Sequence, residues 1–150
     1  MADCQIVLRY FAFKDEKHLV GSTRAILDNC MARLRTADAG ALSTFKSEFT
    51  EALDTAIKIF GDRAFRVGAT AKSKGRLSRP LFDAEMIAIN RLKERKARLV
   101  RHRAKIVQAM VRLTREDSES YEIIVGRPNT AAAIQSRINM VEKAMRDASA

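Results

Sequence analysis

Cysteine and histidine are scarce in this chain, and with them the clusters on which metal or nucleophilic chemistry depends. Its 150 residues include two cysteines, Cys4 and Cys30, and two histidines, His18 and His102. Two cysteines have neither the number nor the spacing of a disulfide framework or a zinc site. Each sits among apolar residues at helical spacing, so both read as buried thiols of a reducing cytoplasm. Neither histidine has the neighbours that a His-based nuclease centre or a zinc site requires. His102 lies between Arg101 and Arg103 and reads as a solvated or phosphate-facing side chain.

Other absences narrow the function further. No apolar run approaches the roughly 18 residues of a membrane span, and the N-terminus has no basic start followed by an apolar core, so a cytosolic chain without a membrane partner is expected. Gly68 to Gly75 has neither the spacing nor the preceding strand of a phosphate-binding glycine loop. Asp83 and Glu85, two residues apart, face different sides of a helix and do not make a paired-carboxylate site. Aromatic residues are missing between Asp83 and Ser120, which argues against base stacking there. No catalytic residue, metal ligand or cofactor can be assigned on these grounds. The chain reads as non-enzymatic, and neither hydrolysis of nucleoside triphosphates nor cleavage of DNA by the chain alone is expected.

What is present specifies a packed helical domain. Hydrophobic residues make up 47% and charged residues 31%, a composition that favours a core over a disordered tail. Ile6, Val7, Tyr10 and Phe11 form one face of a first helix over Asp3 to Phe13. Gly21, Ser22 and Thr23 break the chain and offer an N-cap before Ile26, Leu27, Cys30, Met31 and Leu34 of a second helix. Thr36 to Gly40 reads as a turn. Leu42, Phe45, Phe49, Leu53, Ala56, Ile57 and Phe60 line a third helix, which Gly61 stops. Asp62 to Val67 reads as a short turn that places Phe65 in the core. Residues 68–79 read as an exposed, mobile basic loop.

Pro80 suits the first turn of a fourth helix, buried through Leu81, Phe82, Met86, Ile89 and Leu92, and the pattern runs on over about residues 81–114 as one long basic helix. Glu116 to Ser120 is a polar turn, and Tyr121 to Val125 is a short helix or strand. Gly126-Arg127-Pro128-Asn129 is a turn with Asn129 placed to cap the last helix, which buries Ala133, Ile134, Ile138, Val141 and Met145. The expected fold is all-α, a single-domain bundle of about five helices that gathers Phe45, Phe49, Phe60, Phe65 and Phe82 into one core.

Charge is distributed unevenly along this framework. From Arg63 to Arg115 there are 16 lysines and arginines against Asp83, Glu85 and Glu94, a local excess of 13 positive charges, while the rest carries 12 basic and 15 acidic residues. Such asymmetry points to an anionic partner. On a continuous fourth helix Arg91, Arg98, Lys105 and Arg112 recur every seven residues, with Arg95 and Arg101 beside them. Leu92, Leu99, Ile106 and Leu113 form an apolar seam in the same register, roughly 80 to 120 degrees away. The basic stripe would be about 30 Å long, comparable with one turn of duplex DNA. Lys72, Lys74, Arg76 and Arg79 of the adjoining loop add candidate phosphate contacts. A solvated or partner-covered face is the other reading of the same residues.

Several segments in order resemble the C-terminal helical region of GmrS-like proteins, the nucleotide-hydrolysing component of modification-dependent restriction systems. They are Ile6-Val7-Leu8-Arg9-Tyr10-Phe11-Ala12-Phe13, Leu27-Asp28-Asn29-Cys30-Met31, Phe60-Gly61-Asp62-Arg63-Ala64-Phe65-Arg66, Pro80-Leu81-Phe82-Asp83-Ala84, and Gly126-Arg127-Pro128-Asn129 with Arg137-Ile138. The basic stretch from Arg91 to Lys105 is outside the match. In that family the activity is attributed to an N-terminal domain of the ParB and sulfiredoxin type with an Asp-Gly-Gln-Gln-Arg-like motif, and a nuclease domain or partner carries a His-Asn-His motif. Neither motif occurs here. The resemblance therefore implies a detached or split C-terminal part, with a nucleotide-hydrolysing or nuclease subunit as partner and no family activity assigned to any residue. It leaves two expectations: a non-enzymatic module of a restriction or phage-defence assembly that contacts nucleic acid or a partner chain through its basic surface, or a structural remnant that only completes the fold of a separate nucleotide-hydrolysing subunit.

Overall fold

Short polar side chains start four of the helices by accepting a backbone N–H that the first turn would otherwise leave unpaired. Ser22 receives Ala25 N–H at 3.2 Å, Asp38 receives Ala41 N–H at 2.7 Å, Ser78 receives Leu81 N–H at 3.3 Å and Thr130 receives Ala133 N–H at 3.2 Å. The computed structural model describes residues 2–70, 72–125 and 128–150. Among them are eight α-helices: α1 (Ala2–Lys14), α2 (Thr23–Leu34), α3 (Ala39–Phe60), α4 (Arg79–Arg91), α5 (Lys96–Arg101), α6 (Arg103–Leu113), α7 (Tyr121–Val125) and α8 (Ala131–Ala148). The mostly helical expectation holds, with more and shorter helices than about five. Among the described residues two short strands, β1 (Arg66–Val67) and β2 (Arg76–Leu77), pair as an antiparallel hairpin, with Arg66 opposite Leu77 and Val67 opposite Arg76. No helix among the described residues is long and apolar enough to cross a membrane.

The centre of the molecule is α4. Every residue from Asp83 to Ile89 is buried, as befits a helix covered on all sides. It packs most extensively on α8, and also on α3 and α1. Leu81, Met86, Ile87, Ile138, Val141 and Met145 are all completely or almost completely buried in the shared core. One apolar cluster runs from α1 through α3 and α4 to α6 and α8.

The long fourth helix is instead three helices. The chain flattens at Leu92 (φ −95°, ψ 15°), makes a 3-10 turn over Lys93–Arg95, and flattens again at His102 (φ −95°, ψ 18°). Neither break has a proline or glycine. They fall where the chain leaves α8, bends past α3 and returns to α8, and they keep Leu92, Leu99 and Ile106 buried throughout. The apolar seam survives the bends because burial, not helix continuity, holds it.

Smaller corrections follow the same logic. The inward face of α3 is rotated from the expected one: Ala52, Thr55, Ala56, Ile59 and Phe60 are buried, whereas Leu42 and Ile57 are half exposed. Cys30 is buried but Cys4 is exposed. Phe60 lies in the one apolar cluster and Phe49, Phe65 and Phe82 pack against it, whereas Phe45 is not among the residues of that cluster. Phe45 and Phe49 gather with Tyr10 and Phe11, while Phe65 and Phe82 form a separate pair with centroids 4.6 Å apart. The cap of α8 is Thr130 rather than Asn129, whose carbonyl instead accepts the Thr23 hydroxyl at 2.8 Å. Gly126 and Arg127 of the expected turn lie outside the described residues.

Residues 68–79 are tied down at both ends. Gly68 N–H donates to the Thr114 carbonyl at the end of α6 (3.3 Å), and Ala69 and Ser78 are buried. Gly75 is required at the turn, since its φ is +78° and a Cβ there would stand 2.4 Å from the Val67 carbonyl oxygen.

Candidate nucleic-acid interface

On α5 and α6 the burial of Leu99, Ile106 and Met110 fixes which way the opposite side chains point. Spacings of three, four and seven residues then put Arg98, Arg101, Lys105 and Arg112 along one outer edge. All four are exposed, as are Arg95 before them and Arg103 at the start of α6. Among the described residues none of the six has a carboxylate within 4.0 Å. Within α6, Lys105 and Arg112 are about 10 Å apart along the axis at 1.5 Å per residue. Ala97, Ala104 and Gln108 on the same two helices are also exposed.

Three candidate cations near the row have partners of their own. Arg91 begins the seven-residue repeat in the sequence but not in space: only 18% of its side chain is exposed, and it binds Glu142 at 3.0 Å, Asn139 Oδ1 at 3.0 Å and Glu16. Lys74 pairs with Asp62 at 2.6 Å and pulls that carboxyl below its usual range. Arg76 donates to the Tyr121 hydroxyl at 3.0 Å. Lys72, on the hairpin held against the end of α6, is exposed and has no ion pair among the described residues. Arg79 does not join the row; it lines a pocket with Arg9 and Asp83 between α1 and the start of α4. Lys96, adjacent in sequence, is bound to Glu51 at 2.8 Å. His102 is half-buried at the bend between Arg101 and Arg103.

The core also holds charges whose partners the sequence does not indicate. Arg9 clamps Asp83 with Nε to Oδ2 at 3.1 Å and Nη2 to Oδ2 at 2.5 Å, and its guanidinium lies 4.8 Å from the centre of the Phe13 ring. Burial pushes the Asp83 carboxyl up, against the pull of Arg9 and, more weakly, of Arg137 and Arg79. Glu85 is buried with one contact, the Phe65 N–H at 2.8 Å, and burial raises it to about 8. That contact holds Phe65 at φ +63°, a conformation side chains other than glycine seldom adopt. Arg137 is 1% exposed and donates to the carbonyls of Ile123 (2.9 Å) and Pro128 (3.4 Å). The signal for all of them is a charged residue at an apolar register: Arg9 within Ile6–Phe13, Asp83 and Glu85 within Leu81–Ile89, Arg137 between Ile134 and Ile138. Such a residue needs a partner inside the fold.

The described residues hold no group of three or more His, Cys, Asp or Glu side chains placed for a metal ion. What the outer edge of α5 and α6 can do chemically is bind phosphate by charge, without stacking or base reading. No protein-family model matches the chain, and neither a curated protein nor a solved structure matches it significantly.

Proposed function

We propose that this chain is a non-enzymatic helical module that binds nucleic acid, duplex DNA first, through phosphate contacts along α5 and α6, as a C-terminal part of a GmrS-like restriction or phage-defence assembly. One observation carries the binding: Arg98, Arg101, Lys105 and Arg112 are exposed along α5 and α6, with Arg95 exposed in the turn before them, and among the described residues none has a carboxylate within 4.0 Å. Like charges three and four residues apart destabilise a helix, and a polyanion lying along the row relieves that repulsion. The hairpin extends the surface through Lys72. The link to GmrS-like proteins rests on the ordered motifs from Ile6 to Ile138.

Titration of duplex DNA at increasing salt tests it. Binding is expected to be weak, indifferent to sequence and steeply salt-dependent. Arg98→Gln with Lys105→Gln should lower the slope of log affinity against log salt by about 1.8, at about 0.9 per phosphate contact. Arg91→Gln should leave the slope unchanged. A wild-type chain that does not bind duplex DNA at low salt refutes the proposal.

A second reading, a structural element of a separate nucleotide-hydrolysing subunit, is favoured by a different feature. Between α1, α2 and α3 lies an apolar groove of about 430 Å3 lined by Val7, Phe11, Met31, Leu42, Phe45 and Phe49. Val7, Met31 and Leu42 are 37%, 46% and 52% exposed, an amount of open apolar surface that suits a protein partner.

A further inference from the structure

The pocket between α1, the hairpin and the start of α4 lies apart from the basic row and combines two properties that the row lacks. It is half open and walled partly by apolar side chains, and positive charge outnumbers negative around it. Its volume is about 390 Å3, in the range of small-molecule sites. Ile6 and the tilted Phe65–Phe82 ring pair form its walls. Leu77 stands at its rim 67% exposed, so a ligand with an apolar body covers a leucine that is otherwise in water.

The charges do not balance. Arg9 and Arg79 line the pocket, and the field of the buried Arg137 reaches Asp83 behind it. Against these three guanidinium groups stands one carboxylate, Asp83, already occupied by Arg9. Arg137 has backbone carbonyls for partners and no carboxylate within 4.0 Å among the described residues. The remaining acid nearby, Glu85, accepts the Phe65 N–H, and burial raises its carboxyl to about 8, which favours the neutral form at neutral pH. With Arg9 satisfied by Asp83 and Arg137 buried behind the lining, the excess positive charge that a ligand in the pocket meets is that of Arg79. Arg79 is exposed and has no ion pair among the described residues, which leaves its guanidinium available at the mouth.

We infer that this pocket binds a small organic anion with a flat apolar body, its acidic group on Arg79 and its body between Ile6, Phe65, Phe82 and Leu77. A carboxylate, sulfonate or phosphate ester would serve equally as the acidic group. The inference is independent of DNA binding, because Arg98 and Lys105 have no part in it.

Two probes of matched shape test it: 8-anilino-1-naphthalenesulfonate, and the neutral N-phenyl-1-naphthylamine, which lacks the sulfonate. Fluorescence titration gives affinities, and amide shifts in heteronuclear NMR locate the site. The sulfonate is expected to shift the amides of Phe65, Leu77, Arg79 and Phe82. Arg79→Gln should weaken the sulfonate about fivefold, the size expected of one partly exposed charge pair, and Arg79→Glu should weaken it further. The neutral amine should bind all three proteins alike. Because Arg79 is exposed, both variants should keep the wild-type circular dichroism. Shifts confined to the α1–α3 groove, equal sulfonate affinity in wild type and both variants, or no binding at millimolar probe would each overturn the assignment.

Discussion

The α4–α8 contact and the outer edge of α5–α6 carry arginines in one seven-residue register and treat them in opposite ways. Arg91, on the first, is enclosed by Glu16, Glu142 and Asn139. Arg98, seven residues on, is exposed with no acid within 4.0 Å among the described residues. The same division separates the other charges: Arg9, Asp83, Glu85 and Arg137 are used inside the fold, while Arg95, Arg101, Lys105 and Arg112 are left outside it. A positive stripe in sequence is thus two populations in space. Those inside answer to stability, and those outside are free to answer to a partner.

Substitutions that cross this division should have effects of very different size. Breaking the buried pair is the most severe: Arg9→Met alone strands the Asp83 carboxyl, 2% exposed, and should cost about 3 to 5 kcal/mol in denaturant unfolding. Arg9→Met with Asp83→Leu should recover most of that loss, because no charge remains uncompensated. A double variant as unstable as the single one would show that the pair contributes more than its own desolvation.

Glu85 sharpens the comparison through pH. Its folded value of about 8 lies above the ordinary 4.5, so the folded state holds a proton that the unfolded chain releases as pH rises between those values. Stability therefore falls with rising pH across that window, at up to about 1.4 kcal/mol per pH unit, and is unaffected by this group below it. Glu85→Gln keeps an acceptor for Phe65 N–H and removes the titration. Urea midpoints at pH 5, 6 and 7 should fall less steeply in the variant than in the wild type. Parallel pH profiles would mean that the carboxyl is better solvated than its surroundings indicate.

The arginine pair itself comes next. Arg91→Gln should cost about 1 kcal/mol, through loss of partly buried charge-assisted hydrogen bonds, with the DNA salt slope unchanged. Arg98→Gln should change stability by less than about 0.5 kcal/mol and lower the slope by about 0.9. Reversal of these two patterns would abolish the division. The smallest expected effect has the opposite sign. Arg101→Glu places an acid three residues after Arg98 and four before Lys105, so it should stabilise the chain by a few tenths of a kcal/mol while weakening DNA binding. A loss of stability would show that the row is not under self-repulsion.

Much of the helical framework is legible in the sequence because its causes are local. Ser22 before α2, Gly61 after α3 and Pro80 in the first turn of α4 act through their own backbone and their immediate neighbours. The Leu92, Leu99 and Ile106 seam is legible for a related reason, since a seven-residue apolar repeat keeps one side toward the core even through two bends. The bends themselves are not legible: nothing at Leu92 or His102 disfavours helix, and the path round α3 imposes them. The candidate interface is half legible. Exposure of Arg98, Arg101, Lys105 and Arg112 follows from their register away from the seam; Arg95, three residues after Leu92 and four before Leu99, is exposed in the 3-10 turn instead, and the withdrawal of Arg91 depends on Glu16 and Glu142, which lie 75 and 51 residues away.

By itself the sequence determined that this protein is mostly helical, where several of its helices start and stop, and that its middle third is strongly basic; propensity, capping and composition need no knowledge of distant residues. Only the tertiary structure decided which cations are spent inside and which remain outside, that Asp83 and Glu85 meet different partners in the core, and that a pocket opens between α1 and α4. The reason is that a charge is neutralised by whatever the fold brings within a few ångströms of it. Arg9 meets an acid 74 residues away, a contact that no local pattern can announce.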